Sequence, residues 1–302
     1  MRLFRSFNTD NIAKTELSRN NNLYMLSGDD ISRMQKVLLS MAKDLAAVCE
    51  KNDIPYLLGG GSALGARRHR GFIPWDDDMD IAMLREDFDR FLAEAPAVLG
   101  EKFYLQTMYN DPNYGCAFAK VRKKNTKLVE AVAENSGAQD GIFIGLFPYD
   151  VLPDGEAERK DQGRRHRRLR RMLFAKCGYR IGNTFEGSLP VKLLKRFSYA
   201  LLTVAMKFYD RDRLVRTYDK VCREYNGTES EYLYAQSGCR VYGGWAVPKA
   251  CFNSWTMLPF EGTLFQCPGD SDLYLRTIYH DYMKLPPESE RENRHQILEV
   301  QL

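Results

Sequence analysis

Four aspartates, Asp76, Asp77, Asp78 and Asp80, are the residues of this chain best suited to metal-assisted chemistry. Residues 78–83 alternate so that, on a strand, Asp78 and Asp80 point to one face. Their carboxylates would then stand roughly 6 to 7 Å apart, which is costly unless a cation lies between them. Mg²⁺ takes hard oxygen ligands together with substrate phosphates. The pattern predicts Mg²⁺, with Mn²⁺ as the alternative, at Asp78 and Asp80, and Asp76 as a third ligand or a base.

A glycine-rich turn precedes the acidic cluster, and Asp76 lies fifteen positions after Gly61. Residues 54–58 are a short apolar run suited to a buried strand, and residues 59–62, Gly-Gly-Gly-Ser, then let backbone N–H groups approach an anion closely. Residues 63–70 predict a helix whose N-terminus would face that anion. A glycine turn alone is weak evidence for a phosphate site. Its pairing with the acidic strand favours phosphoryl or nucleotidyl transfer over a mobile loop beside a solvated acidic patch.

The elements that must position these residues follow from hydrophobic periodicity. Residues 31–51 predict a core-packing helix capped by Ser27 or Asp29, and residues 86–99 predict a second helix. Strands are predicted over 103–106, 116–122 and 141–147, the last of them closed by Pro148 and Pro153. The sequence therefore predicts helices packed on a sheet that carries the acidic cluster.

The segment from Gly61 to Asp80 resembles the LicD family of phosphorylcholine and polyol-phosphate transferases, to which the fukutin-related proteins belong. The resemblance rests on Gly-Ser-Ala-Leu-Gly-Ala at 61–66, on Arg-His at 68–69 and on Gly-Phe-Ile-Pro-Trp-Asp-Asp-Asp-Met-Asp at 71–80. Further similar blocks follow in family order at residues 118–126, 140–150, 260–262 and 281–287. The resemblance extends over residues 30–155 and 230–290.

The resemblance implies an α+β fold of the nucleotidyltransferase, polymerase-β-like type, with a mixed sheet flanked by helices. It also implies transfer of a phospho-alcohol from a CDP-activated donor, such as CDP-choline, CDP-glycerol or CDP-ribitol, to a glycan or lipid-linked glycan acceptor, with release of CMP. Asp78 and Asp80 would hold Mg²⁺ and, with Asp76, form the catalytic group. The donor contacts that it implies are Gly61, Ser62, Arg68, Lys120 and Arg122. Metal and cations together suit charge stabilisation on a transferring phosphoryl group.

One position departs from the family pattern. Where the family usually reads Ile-Asp-Ile-Phe-Pro, residues 144–148 read Ile-Gly-Leu-Phe-Pro, so Gly145 replaces the expected third carboxylate. Asp140 lies five residues away, roughly 16 Å along an extended strand, and Asp76 is the better substitute. Three outcomes stay open: an active enzyme that uses Asp76, a slow enzyme, and a donor-binding protein without turnover. Direct nucleotidyl transfer from an NTP is a further alternative.

Composition and cysteine usage indicate a globular chain of 302 residues, with 44% hydrophobic and 28% charged residues. Seven scattered cysteines without a C-x-x-C pair argue against a zinc site and a disulfide scaffold. Residues 1–12 lack the apolar core of a signal peptide, and the best apolar run, residues 197–206, is about half the length needed to span a bilayer. We therefore expect a cytoplasmic protein.

The chain is divided by a basic segment, because ten Lys and Arg residues fall within residues 159–180. Residues 189–210 add a second amphipathic stretch. We interpret residues 1–155 as the catalytic core with a helical lead-in, 156–230 as a basic amphipathic helical insertion, and 231–302 as completing the catalytic domain. The insertion either contacts the anionic inner face of the cell membrane peripherally or packs its apolar stripe on the core. Nucleic acid is not expected as a partner, because the net charge is only +4.

Overall fold

The computed structural model describes residues 23–180, 188–236, 242–244, 246–292 and 295–302. Within them, eight α-helices and eleven β-strands are formed. The helices are α1 (Gly28–Lys51), α2 (Gly60–His69), α3 (Arg85–Glu94), α4 (Pro96–Leu99), α5 (Glu156–Lys176), α6 (Leu189–Met206), α7 (Arg211–Cys222) and α8 (Ser271–Tyr279). The strands are β1 (Leu57–Leu58), β2 (Asp80–Leu84), β3 (Phe103–Gln106), β4 (Ala119–Lys123), β5 (Lys127–Glu130), β6 (Phe143–Leu152), β7 (Tyr232–Ala235), β8 (Ala246–Pro248), β9 (Trp255–Phe260), β10 (Thr263–Pro268) and β11 (Ile297–Gln301).

Seven of the strands form one mixed sheet. The order is β1, β2, β6, β4, β3, with β7 paired to β6 and β8 paired to β7. β2 and β6 run parallel, whereas the other pairs are antiparallel. Two further pairs, β9 with β10 and β5 with β11, lie outside this sheet. The predicted α+β fold, a mixed sheet flanked by helices, is confirmed.

The central strand β6 is longer than predicted. It begins at Phe143 and continues through Pro148 to Leu152, so the prediction that Pro148 ends the strand is wrong. Pro148 is tolerated because it lies where the antiparallel neighbour of β6 changes from β4, which pairs with residues 143–146, to β7, which pairs with residues 149–152. The Pro148 carbonyl accepts a hydrogen bond from the Gln236 N–H at 3.0 Å, so the strand continues although Pro148 has no N–H to donate. One strand therefore runs from the acidic cluster to the opposite end of the sheet.

The ends of three other elements can be compared with the sequence-based prediction. One of them decides between two predicted helix caps, and the other two differ from the prediction. Ser27, not Asp29, caps α1, and its hydroxyl accepts a hydrogen bond from the Asp30 N–H at 3.1 Å. The helix predicted over 86–99 is divided into α3 and α4, because Pro96 starts a new helix and has no N–H to continue the old one. The strand predicted from residue 116 begins at Ala119.

Two hydrophobic clusters hold the helices to the sheet. The larger combines α1, the sheet and the β9–β10 pair, and includes Met41, Ile81, Ile144 and Phe265. The second joins α5 and α7 to the segment before β4, through residues such as Phe118, Phe174 and Tyr218. The six cysteines among the described residues are all free thiols, and Cys239 lies outside the described residues. None of the helices in the described ranges combines the length and the apolar character needed to cross a membrane.

A hairpin turn supports the loop that leads into the acidic cluster. Glu261 and Gly262 connect β9 to β10 with φ values of +47° and +73°, the geometry of a two-residue type I′ turn. The Glu261 carboxylate accepts a hydrogen bond from the Phe72 N–H at 3.1 Å, and the Glu261 N–H donates to the Arg70 carbonyl at 3.0 Å. A Cβ on Gly71 would collide with the same carboxylate. The turn thus fixes the backbone just before the acidic residues.

A buried polar network occupies the end of the sheet remote from the acidic cluster. Asp150 is fully buried and forms a paired interaction with Arg85, at 2.8 Å from Nε to Oδ1 and 2.5 Å from Nη2 to Oδ2. Asn226 and Gln236 donate further hydrogen bonds to the Asp150 carboxylate, at 2.6 and 2.7 Å. Gln236 in turn contacts His166 Nε2 at 3.1 Å. The network links β6 to α3, α5 and the start of the segment after β7.

The His166 imidazole gives this network a pH dependence. Burial, reinforced by the Arg170 cation, lowers the pKa of His166 from 6.5 to about 4. The unfolded chain therefore takes up a proton between those values that the folded chain does not, so stability is lost as the pH falls from 6.5 to about 4. We expect this one group to cost about 3 kcal/mol over that interval, measured as the free energy of unfolding in urea. A His166→Gln variant, which cannot titrate, should show a correspondingly shallower decline; an unchanged slope would contradict the assignment.

Candidate active site

The acidic residues lie in a loop and at the first position of β2. Asp76 and Asp77 are buried, while Asp78 and Asp80 are half-buried. α1 holds the backbone of this loop in place. The side-chain amide of Gln35, on α1, donates to the Asp76 carbonyl at 2.9 Å and to the Ile73 carbonyl at 3.3 Å. The backbone that leads to Asp78 and Asp80 is therefore held by hydrogen bonds from α1 and from the β9–β10 turn.

Ser62 holds the backbone of Asp80. Its hydroxyl accepts a hydrogen bond from the Asp80 N–H at 2.8 Å, and its side chain is buried. The Gly59 N–H also donates to the Asp80 carbonyl, at 2.9 Å. These two hydrogen bonds join the glycine turn to the first residue of β2, which gives a structural reason for the two motifs to occur together in the sequence.

The N-terminus of α2 faces protein groups. Gly60 donates its N–H to the Tyr274 hydroxyl at 3.0 Å, and that hydroxyl also contacts the Tyr149 hydroxyl at 2.9 Å. A Cβ on Gly61 would lie 2.9 Å from Asp76 Oδ2. Glycine at 61 therefore leaves room for the Asp76 carboxylate beside the helix N-terminus, where the helix dipole favours negative charge.

Gly145 lies between the acidic and the basic parts of the site. It is in register with Asp80 of β2 on one side and with Lys120 of β4 on the other, so the three positions share one face of the sheet. Two strand spacings put the backbones at Asp80 and Lys120 about 10 Å apart. A Cβ at residue 145 would meet Asp80 Oδ1 at 2.8 Å and the Phe147 ring at 2.6 Å, and that ring stacks on Phe118.

Lys120 and Arg122 are buried and share one carboxylate, that of Glu130 on β5. Lys120 Nζ lies 2.5 Å from a Glu130 oxygen, and Arg122 Nη2 lies 3.5 Å from the same oxygen. Burial disfavours the Glu130 anion, but the two cations outweigh it and lower the pKa of Glu130 to about 2. Lys120 also lies over the Phe143 ring, 3.6 Å from its centroid. The basic side of the site is therefore a compact cluster with an acidic partner of its own.

His295 connects the acidic and basic sides. Its Nδ1 lies 3.0 Å from Asp77 Oδ1, and its Nε2 lies 3.8 Å from Asp78 Oδ2. Burial disfavours the charged ring, but Asp77, with smaller contributions from Asp78 and Glu130, outweighs it and raises the pKa of His295 well above its usual range. One ligand atom from each of Asp77, Asp78 and His295 lies within 4.8 Å of the other two, a group of three able to hold a metal ion among the described residues.

Arg68, the remaining residue of the expected donor site, lies at the other end of α2. Its Nη1 donates to the Tyr282 carbonyl at 2.6 Å, and its Nε contacts the His69 ring at 2.9 Å. These contacts tie α2 to the segment 281–287. Of the expected residues, the structure therefore brings Asp76, Asp78, Asp80, Gly61 and Ser62 together at one edge of the sheet, places Lys120 and Arg122 two strands away, and places Arg68 outside this group.

Sequence reasoning missed Asp77, Glu130 and His295 as members of the site. Asp77 has the wrong parity for the exposed face of β2, and the side chain is fully buried against His295. Glu130 is the last residue of β5, and His295 lies two residues before β11. The pairing of β5 with β11 brings these two segments together. One signal was available: two buried cations on a central strand require an acidic partner, although the sequence does not say which acid supplies it.

Residues 53–166 match the family model described as the LicD/FKTN/FKRP nucleotidyltransferase domain. The segment that carries the glycine turn, the acidic residues and strands β1 to β6 is therefore similar to that domain, which confirms the resemblance carried by residues 61–80.

Three relatives illustrate how far the similarity extends. The chain is 29% identical over 269 residues to the lipopolysaccharide cholinephosphotransferase LicD of Haemophilus influenzae, an alignment that covers 88% of this chain and 96% of that protein. It is 36% identical over 74 residues to human ribitol 5-phosphate transferase FKRP, covering 23% of this chain and 15% of that protein. An uncharacterized protein of Rickettsia prowazekii is 46% identical over 50 residues, 17% of this chain and 19% of the relative.

Proposed function

We propose that this protein transfers phosphocholine or a related phospho-alcohol from a CDP-activated donor to a hydroxyl of a cell-surface glycan or its lipid-linked precursor, with release of CMP. The two named relatives are transferases of choline phosphate and ribitol 5-phosphate, which supports the class of group transferred. The observation that carries the proposal is the placement of Asp80 on the same sheet face as Lys120, with Gly145 between them and Asp78 two residues before Asp80. Carboxylates for a metal and cations for phosphate oxygens are what phosphoryl transfer requires.

The donor set fits Mg²⁺, with Mn²⁺ as the alternative. Asp78, in the loop before β2, and Asp80, the first residue of β2, offer carboxylate oxygens as ligands, whereas Asp77 raises the pKa of the neighbouring His295 well above its usual range and so favours the protonated ring. Oxygen-rich sites with one or two carboxylates suit Mg²⁺. Bound by Asp78 and Asp80, the ion would neutralise developing charge on the phosphoryl oxygens.

The remaining side chains have positioning and proton-transfer roles in this proposal. Ser62 fixes the Asp80 backbone, and His295 with Asp77 orients Asp78. Lys120 and Arg122 supply positive charge to the donor diphosphate at the expense of their pairing with Glu130. The acceptor oxygen forms the new bond to phosphorus as the bond to the CMP oxygen breaks, and Asp76 is our candidate to accept the hydroxyl proton.

Thermal stabilisation by donor candidates tests the proposal. CDP-choline, CDP-glycerol, CDP-ribitol, CTP and ATP would each be added with Mg²⁺ and with EDTA. A ligand at about 100 times its dissociation constant stabilises the folded state by about 2.7 kcal/mol, which is readily measured as a melting shift. We expect a Mg²⁺-dependent shift with one CDP-alcohol; no shift with any CDP compound would contradict the proposal.

Product analysis separates the proposal from its alternatives. Release of CMP together with loss of the CDP-alcohol supports phospho-alcohol transfer, whereas pyrophosphate from CTP or ATP indicates direct nucleotidyl transfer. Gly145 is the observation that favours the third alternative, a donor-binding protein that does not turn over. That alternative predicts a melting shift with the donor and no CMP with any glycan acceptor.

The substitution Gly145→Asp tests whether a third carboxylate can be accommodated. Because a Cβ here would approach both Asp80 Oδ1 and the Phe147 ring, the ring must leave its stack on Phe118. We expect a loss of about 1 to 3 kcal/mol in EDTA, and a larger recovery on addition of Mg²⁺ than the wild type shows. The matched control is Gly145→Ala, which should suffer the steric loss without the gain in Mg²⁺ response. Equal Mg²⁺ responses in the two variants would show that residue 145 does not face the metal.

A further inference from the structure

The ring of Phe147 fills the space over Gly145. Alternate residues of a strand share a face, so β6 carries Phe143, Gly145 and Phe147 on the side of the sheet that also carries Asp80. A Cβ at residue 145 would lie 2.6 Å from Cε2 of the Phe147 ring and 3.2 Å from its Cζ. A Cβ does not approach ring carbons so closely, which means that the ring lies where a side chain at residue 145 would lie.

Neighbouring side chains fix this position of the ring. Phe147 stacks on Phe118, with the ring centroids 4.6 Å apart and an angle of 17° between the ring planes. Phe118 is buried, and Phe147 packs against both hydrophobic clusters. Phe147 is nevertheless only half-buried. It is therefore an aromatic side chain held in place at an accessible part of the site.

Opposite charges lie on the two sides of Gly145. The Asp80 carboxylate extends toward it, because a Cβ at residue 145 would lie 2.8 Å from Asp80 Oδ1. Lys120 is in register with Gly145 on the other side, and two strand spacings separate the backbones of Asp80 and Lys120 by about 10 Å. An extended lysine and an aspartate can bridge that span. Instead, Lys120 Nζ contacts Glu130 at 2.5 Å and lies over the Phe143 ring.

We propose that Phe147 is a positioning residue of this site, whose ring takes the place of a side chain at residue 145 and keeps the Asp80 carboxylate apart from Lys120. A carboxylate and an ammonium group that pair directly neutralise each other. Kept apart, Asp80 can bind a divalent cation and Lys120 can attract phosphate oxygens. The inference rests on the proposed function for these two roles, whereas the place that the ring occupies does not depend on it.

Melting temperatures test whether the ring fills this space. Gly145→Ala adds only a methyl group and should lower the melting temperature of the otherwise unchanged protein. In a Phe147→Ala background the methyl group has room, so the same substitution should cost less than half as much. The matched control background is Phe174→Ala, which removes a buried ring from the second hydrophobic cluster and should leave the effect of Gly145→Ala unchanged. Equal losses in all three backgrounds would overturn the proposal.

Mn²⁺ binding in the absence of a donor tests the separation of charges. Free Mn²⁺ is measured by electron paramagnetic resonance. We expect Phe147→Ala to lower Mn²⁺ affinity at least about tenfold, because Asp80 can then pair with Lys120. In a Lys120→Met background the same substitution should cost less than about threefold, and Phe174→Ala should leave Mn²⁺ affinity unchanged. Lys120→Gln provides a second background if the methionine variant does not fold.

A role in folding alone would lower the melting temperature of Phe147→Ala without this dependence on Lys120. Unchanged Mn²⁺ affinity in Phe147→Ala, or an equal loss with and without Lys120, would therefore overturn the proposal. Wild-type protein that binds no Mn²⁺ would overturn the metal assignment and this inference together. Normal Mn²⁺ binding without a melting shift from any CDP compound would contradict the proposed donor alone.

Discussion

Substituting both Asp78 and Asp80 with Asn should lower the rate of CMP release by at least about a thousandfold. The two carboxylates are the proposed Mg²⁺ ligands, and the asparagine side chains keep their size while losing the charge that attracts the ion. We expect the Mg²⁺-dependent melting shift with the CDP-alcohol to disappear in the same variant. The measurements are CMP production with an acceptor glycan and the melting temperature with and without Mg²⁺.

Folding should not suffer from this change. Asparagine keeps the size of both side chains, and the Ser62 hydroxyl still accepts the hydrogen bond from the backbone N–H of residue 80. The melting temperature in EDTA should therefore stay close to that of the wild type. Asp140→Asn, at an exposed position just before β6, is the matched control and should retain full activity. A double variant that keeps its turnover would exclude these two residues as metal ligands.

Replacing Asp150 with Ala should destabilise the folded protein by about 3 to 5 kcal/mol. The change removes the partner of a buried Arg85 cation, only 7% exposed, together with the acceptor for Asn226 and Gln236. A charge left buried without its partner is far more costly than the loss of the pair as a whole. Urea unfolding followed by circular dichroism measures the effect.

A double substitution distinguishes this explanation from a simple packing defect. Arg85→Met/Asp150→Leu removes both charges and keeps most of the volume, so it should recover a large part of the stability lost in Asp150→Ala. If Asp150→Ala loses less than about 1 kcal/mol, or if the double variant is less stable than the single one, the buried charge is not the cause.

The local motifs of the site were accessible from the sequence because they are local. The alternation after Asp78 predicted β2, and the glycine turn predicted the start of α2. The Ser62 hydroxyl, however, serves the Asp80 backbone, and Asp76 lies beside the α2 N-terminus where a donor phosphate was expected. The residue types predicted that Ser62, Asp76 and Asp80 lie close together. Which atoms each side chain contacts depends on how the loop folds.

Glu130 lies only ten residues from Lys120, but no local pattern marks it as the partner of the two cations, and the contacts of His295 span a long stretch of chain. His295 meets Asp77 across 218 positions, and no periodicity relates two such residues. The direction in which α6 faces was equally inaccessible, since an apolar stripe has the same pattern whether it covers a core or a membrane. Six large apolar side chains of α6 are more than half exposed, so the alternative that the insertion packs its apolar stripe on the core is wrong for this helix. In both cases the missing information is tertiary: which element packs against which side of another.

The β9–β10 turn has a consequence for protein engineering. Two-residue hairpin loops at the surface are usual positions for inserting epitope tags or fluorescent domains, because exposed loop tips tolerate added residues. Here the tip residue Glu261 supports the backbone at Phe72, four residues before Asp76. Added residues at this turn would withdraw that support from the chain leading into the acidic cluster. A fusion at Glu261-Gly262 should therefore damage donor binding although the insertion point is remote in sequence from every expected site residue.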